Sequence, residues 1–307
     1  MKKRIQNRLA ESRFAFPVMI IYGLAVWLGA GTVTEGAYLQ LAFFMASTLL
    51  MMMLNNTNSL IRIYSRMVSC SFVAMTCAAT FLFSSLESCA TGMCFILFYL
   101  SLLRSYQDKR APGIAFYSFA CLGIASLFFV QILYFVPFLW ILMASNMMAL
   151  THRMFWATVL GLVMPYWFAV GYYVVTNQFD AFIDHFAELA QFEPLLQYEA
   201  LDIHRIATFG LVVLLAVIGI THYMRNSYQD KIRTRMIFEM FITVDILSFV
   251  FIILQPQHFD NLLPIIIVNT SCLFAHYVAL TRTWLTNVTF IVMCLATLGL
   301  TIFNLMP

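Results

Sequence analysis

Apolar runs of 16–22 residues, separated by short polar breaks, set the rhythm of this chain. They lie near 14–32, 37–54, 67–84, 88–103, 112–129, 132–150, 154–175, 205–223, 237–254, 262–280 and 285–304. A helix rises 1.5 Å per residue, so about 20 apolar residues cross a hydrocarbon core ~30 Å thick. The pattern predicts an all-α, polytopic transmembrane helix bundle of about eleven spans, forming a single integral membrane domain over 1–307. The stretch 111–150 carries no charge and no obvious loop. As one helix its 40 residues would extend ~60 Å, twice the core thickness. A tight turn near Phe128–Gln131, or a re-entrant hairpin there, is therefore expected.

Composition agrees with the pattern. The chain is 62% hydrophobic and 10% charged, with a mean hydropathy of +0.86, where soluble domains carry about 25% charged residues. So few charges cannot cover a watery surface. Thirty Phe and nineteen Met suit lipid-facing and packing positions, and Met51-Met52-Met53 reads as bilayer filler. Of seven Cys, most lie inside apolar runs, where Cys behaves as a small hydrophobe. Cys89 and Cys94 are close enough in sequence for a disulfide to be considered.

Charge assigns the sides. Lys2, Lys3, Arg4, Arg8 and Arg13 precede the first run, which is long and lacks an A-x-A cleavage site, so a retained first span is expected. With the N-terminus in the cytoplasm and the C-terminus outside, sixteen of the seventeen Lys and Arg fall inside. Arg205 alone starts from the outer boundary. Glu35, Glu87, Asp180, Asp184, Glu188, Glu193, Glu199, Asp202 and Asp260 fall outside. The pentapeptide SYQDK occurs twice, at Ser105–Lys109 and Ser227–Lys231, each time after an inward-running span. Tyr suits the headgroup belt and Lys the inner face. Convergence on interface chemistry and a parallel internal repeat both account for it.

The stretches YQDKRAPGIAFYSFACLGIASLFF, LGLVMPYWF, KIRTRMIFEMF and LLPIIIVNTSCLFAHY cover about a third of the chain. Together they resemble a family of polytopic Bacteroidota inner-membrane proteins of unknown function. The resemblance implies the same topology and a bacterial inner membrane, and it brings no catalytic residues with it.

Candidate chemistry is sparse. In the outer segment 176–204, Phe179, Phe182, Ile183, Phe186, Leu189 and Ala190 recur at helical spacing, with Asp180, Asp184 and Glu188 on the other face. This predicts an amphipathic helix lying in the outer interface, ended or redirected by Pro194. One reading of Asp180, Asp184, His185 and Glu188 is a site for a divalent cation; the other is an acidic face in water. No other metal or cofactor is implied. His258 and Asp260, between Pro256 and Pro264, form a second outer polar cluster. Glu35 sits alone in the first outer loop. C-type glycosyltransferases, which use lipid-linked sugar donors, carry catalytic acids in that loop, but with more acids and a following interfacial helix. Inside the bilayer, Asp245 is costly and so either functional or paired. Asn269 and His276, on the next, oppositely running span, are its candidate partners, as a proton relay or as a polar staple. Glu239 is spaced to meet Arg235.

No nucleotide-binding, zinc-protease or nucleophile-elbow motif occurs, and the basic residues are topology markers rather than a nucleic-acid surface. Three readings remain. In the first, a non-enzymatic component handles or transports a hydrophobic or lipid-linked molecule, or supports envelope assembly. In the second, a lipid-linked glycosyltransferase uses Glu35. In the third, a proton- or cation-coupled transporter is centred on Asp245. The first demands least of the sequence. The expected partner common to all three is the lipid bilayer.

Overall fold

The structure is a computed structural model that describes residues 4–34, 36–191 and 201–306. Helices, α and 3-10 together, make up 84% of the described residues, which contain no strand. In order they are α1 (Ile5–Ala10), α2 (Ala15–Gly29), α3 (Tyr38–Asn58), α4 (Met67–Ala78), α5 (Leu86–Leu102), α6 (Pro112–Phe128) and α7 (Val136–Ser145). There follow α8 (His152–Val175), α9 (Phe179–Ala187), α10 (Ile203–Asn226), α11 (Ile232–Leu254), α12 (Phe259–Leu280) and α13 (Trp284–Leu305). Seven of them, α3, α5, α8 and α10 to α13, are long and apolar enough to cross a membrane.

The remaining apolar runs form shorter helices, and two gain length from a change of helix type. A 3-10 turn at Thr80–Ser84 follows α4, and another at Val130–Phe135 runs straight into α7. A 3-10 residue rises ~2.0 Å against 1.5 Å, so each composite reaches roughly 27–28 Å. The break expected near 128–131 is Phe129, an extended residue between α6 and the second 3-10 turn.

Contacts sort the connecting segments into two ends. At one end, Arg62 donates to Gln229, Arg233 donates to Asn58 Oδ1 and to the Leu103 carbonyl, and the Gln107 amide donates to the Met147 carbonyl. Gln6 and Asn7 of α1 fix the turn between α12 and α13 through Val278 and Thr281. At the other end, Asn304 Nδ2 donates to the Ala78 carbonyl, Thr80 to the Asn304 carbonyl, and Arg205 to Asp260. The first end carries the Lys and Arg clusters.

α12 is the hub, with 18 of its 22 residues buried. It packs on α4, α5, α10 and α11. Several crossings need glycine, because a Cβ on Gly161 of α8 would overlap the Phe116 carbonyl of α6. One on Gly219 of α10 would stand 2.8 Å from the Leu273 backbone of α12. Small residues at such crossings let backbones approach closely.

Both SYQDK copies lie at the basic end and close the same Ser-to-Asp hydrogen bond through different backbones: Gln107 is left-handed at φ +58°, whereas Ser227–Gln229 is a 3-10 turn. Asp108 N–H donates to Ser105 C=O and Asp230 N–H to Ser227 C=O, while each Gln bonds the preceding Tyr hydroxyl. The flanking helices differ. α5 and α6 pack directly on each other, whereas α12 packs against both α10 and α11, which have little contact between them. The likeness is one of turn chemistry and does not extend to the packing of the flanking helices.

Candidate functional site

The buried polar core follows α12. Asn269, Thr270 and Ser271 are consecutive and fully buried. Successive helical residues turn by about 100°, so they face different neighbours. Thr270 Oγ1 donates to Asp245 Oδ2 of α11 at 3.0 Å. Asn269 Oδ1 accepts from the Tyr99 hydroxyl of α5 at 2.8 Å, and Ser271 returns to the Val268 carbonyl. Asp245 is therefore paired, but with Thr270 rather than with Asn269 or His276. Its Oδ1 is buried with no hydrogen-bond partner among the described residues.

His276 lies six residues beyond Thr270, about 9 Å along the helix toward the basic end. There its Nε2 donates to Asp230 Oδ2 at 3.0 Å, both side chains being nearly inaccessible. Arg62 Nη1 stands 3.9 Å from the other Asp230 oxygen. The ring of His276 packs among Tyr223, Phe238 and His222. This cluster joins α12 to the turns after α3 and α10. Glu239 accepts from Asn146 at 2.9 Å instead of meeting Arg235.

The candidate residues of 176–204 and of the 256–264 turn are dispersed. Phe182 and Phe186 of α9 pack on Tyr166 of α8, while Phe179 and Ile183 stay exposed. The amphipathic helix thus docks half of its apolar face on protein. His185 turns inward to the Ser126 carbonyl at 3.0 Å, away from the exposed Asp180, Asp184 and Glu188. No group of three metal-ligating side chains occurs among the described residues. Asp260 holds Arg205 in a two-point pair, both bonds 2.9 Å. His258 packs between Phe129 and Phe251. Glu35 lies outside the described residues, as do Glu193, Pro194 and Glu199. Cys89 and Cys94 are free, since a five-residue step on a helix turns their sulfurs about 140° apart.

A feature the sequence reading missed is a lateral apolar cleft of about 410 Å³ between α2 and α13, floored by α4. Each wall is a helical stripe: Phe14, Val18 and Tyr22 on α2's side, and Phe290, Cys294, Thr297 and Leu298 on α13. The floor is Met67, Cys70, Ser71 and Ala74 of α4. These floor residues are mostly small, so the helices meet at their backbones and leave a gap between their outer rims. Exposed Val18, Cys294 and Leu298 mark a sideways opening. A hydrogen bond between Tyr22 and Thr301, 3.0 Å long, joins the two walls toward the end away from the basic turns. Cys, Ser and Ala at helical spacing in 70–74 were the available signal.

Comparison with known proteins finds no matching family model, no matching curated protein and no similar solved structure.

Proposed function

We propose that this chain is a multi-pass bacterial inner-membrane protein that takes a predominantly apolar, lipid-like molecule into the cleft between α2 and α13. The observation that carries the reading is the cleft itself. Its volume lies within the ~300–1,000 Å³ of small-molecule pockets, and it opens sideways, where a membrane would supply such a ligand. In the same reading the basic end faces the cytoplasm, the chain crosses eleven times and the C-terminus is outside. The distribution of Lys and Arg supports this orientation.

The test is purification in native-lipid particles followed by mass spectrometry of retained lipid. Wild type should retain lipid through delipidation, and Ala74→Trp, which fills the floor, should not. Equal retention by both would end the reading. A second reading, proton- or cation-coupled transport, is favoured by one observation, the free Oδ1 of buried Asp245. It requires that Asp245→Asn abolish coupled uptake. The transferase reading gains no support, because its acid, Glu35, is outside the described residues.

A further inference from the structure

An apolar cleft inside a bilayer has no preference for a particular lipid, because surrounding tails are as apolar as its walls. Selection must come from polar groups at its mouth. The basic end of the cleft is bordered by Leu9, Ser12 and Phe14, which flank the exposed Arg8 and Arg13. Beside the floor, Arg66 is the N-cap of α4, immediately before Met67 of the lining.

Arg66 is held in place. Asn55 fixes the Ser65 carbonyl at 3.0 Å, and the Ser65 hydroxyl accepts from the Met67 amide. The guanidinium lies over the Tyr64 ring, 5.4 Å from its centroid, and Nε donates to the Tyr64 hydroxyl. That leaves Nη1 buried with no acceptor among the described residues. Burying a charged donor without an acceptor is costly, and a phosphate oxygen is the acceptor that a guanidinium fork suits best. The sole carboxylate on α1, on α2 or in the turn between them is Glu11, which has its own interaction.

We infer that the cleft selects an anionic glycerophospholipid, one acyl chain lying along α4 and the phosphate at Arg66 with Arg13. This rests on the cleft being a lipid site and adds its headgroup chemistry. The geometry sets the lipid on the basic side, with its tail pointing toward the Tyr22–Thr301 contact.

The experiment uses the full chain in nanodiscs of equimolar phosphatidylglycerol and phosphatidylethanolamine, with mass spectrometry of lipid retained after transfer to detergent. Wild type should retain phosphatidylglycerol over phosphatidylethanolamine by about fivefold or more for each arginine engaged. Arg13→Gln/Arg66→Gln should keep one lipid and lose the preference. Ala74→Trp should keep none. Leu298→Trp, on the exposed opposite wall, serves as the second filling variant if Ala74→Trp is not monodisperse. Retention by wild type at the bulk ratio, with the filled variants empty, would overturn the headgroup assignment alone. Unchanged lipid in both filled variants would overturn the cleft as a site.

Discussion

Asp245 has two carboxyl oxygens and one hydrogen bond. A staple between helices contributes little in a membrane, about 0.6 kcal/mol on average and ~1.7 at most, because the unfolded helices also find partners. Thr270 would lose its acceptor in Asp245→Leu, but a helical threonine can return its hydroxyl to the carbonyl four residues back. Asp245→Leu should therefore shift stability by less than about 1 kcal/mol, read by reversible unfolding in mixed micelles. A loss of several kcal/mol would make the carboxyl a structural keystone and remove the ground for a transport role. Sequence reasoning found Asp245 because a charge inside an apolar run is rare. It could not find the partner, since one step along α12 exchanges Thr270 for Asn269 and turns the contact from α11 to α5. His276 was misplaced for a related reason. Opposed spans bring Asp245 and His276 to neighbouring helices without fixing their relative depth, and six residues along a helix move a side chain about 9 Å, which here separates the core from the cluster with Asp230 and Arg62.

Helix positions were legible because hydropathy reports them directly. Predicted 154–175 is α8 at His152–Val175, and predicted 285–304 is α13 at Trp284–Leu305. The 3-10 lead into α7 was not legible, since its apolar residues fit either helix type. Neither was partnership between helices, because lipid offers no hydrophobic drive to mark an inner face. What marks one is a small residue where backbones meet. Gly161 meets Phe116, and Gly123 on α6 would bring a Cβ within 2.7 Å of the Leu162 carbonyl. The α6–α8 crossing is thus held by two glycines facing opposite ways. Gly161→Leu should separate the helices and cost several kcal/mol, in the upper range for single substitutions, whereas Gly171→Leu on the same helix, with open space around it, should cost little. Thermal unfolding of the two variants side by side checks this, and equal stability would mean that the helices do not cross at Gly161.

At the scale of the whole molecule, the two ends differ in how their charges are arranged. The end away from the basic turns holds one Lys or Arg, Arg205, and neutralises it in place with Asp260. The opposite end disperses its cations over the N-terminal segment and the turns after α3, α5, α7, α10 and α12. By the positive-inside rule a set of cations gathered at one end predicts that this end faces the cytoplasm. Single cysteines report it. Lys109→Cys sits in the first SYQDK turn and Asp184→Cys on the exposed face of α9. Six native cysteines are buried or half-buried inside helices, and exposed Cys294 faces the cleft, so none should compete for a charged, membrane-impermeant maleimide. In intact spheroplasts Asp184→Cys should label and Lys109→Cys should not, while inverted vesicles should reverse the result. The second SYQDK turn gives the decisive control. Tyr228 is exposed, and Arg233 joins the adjoining helix to the first turn through Leu103 and over the ring of Tyr106. Tyr228→Cys must therefore follow Lys109→Cys in both preparations. If the two pentapeptides labelled from opposite sides, the contacts that gather the basic turns at one end would be wrong, and with them the placement of the cleft's arginines.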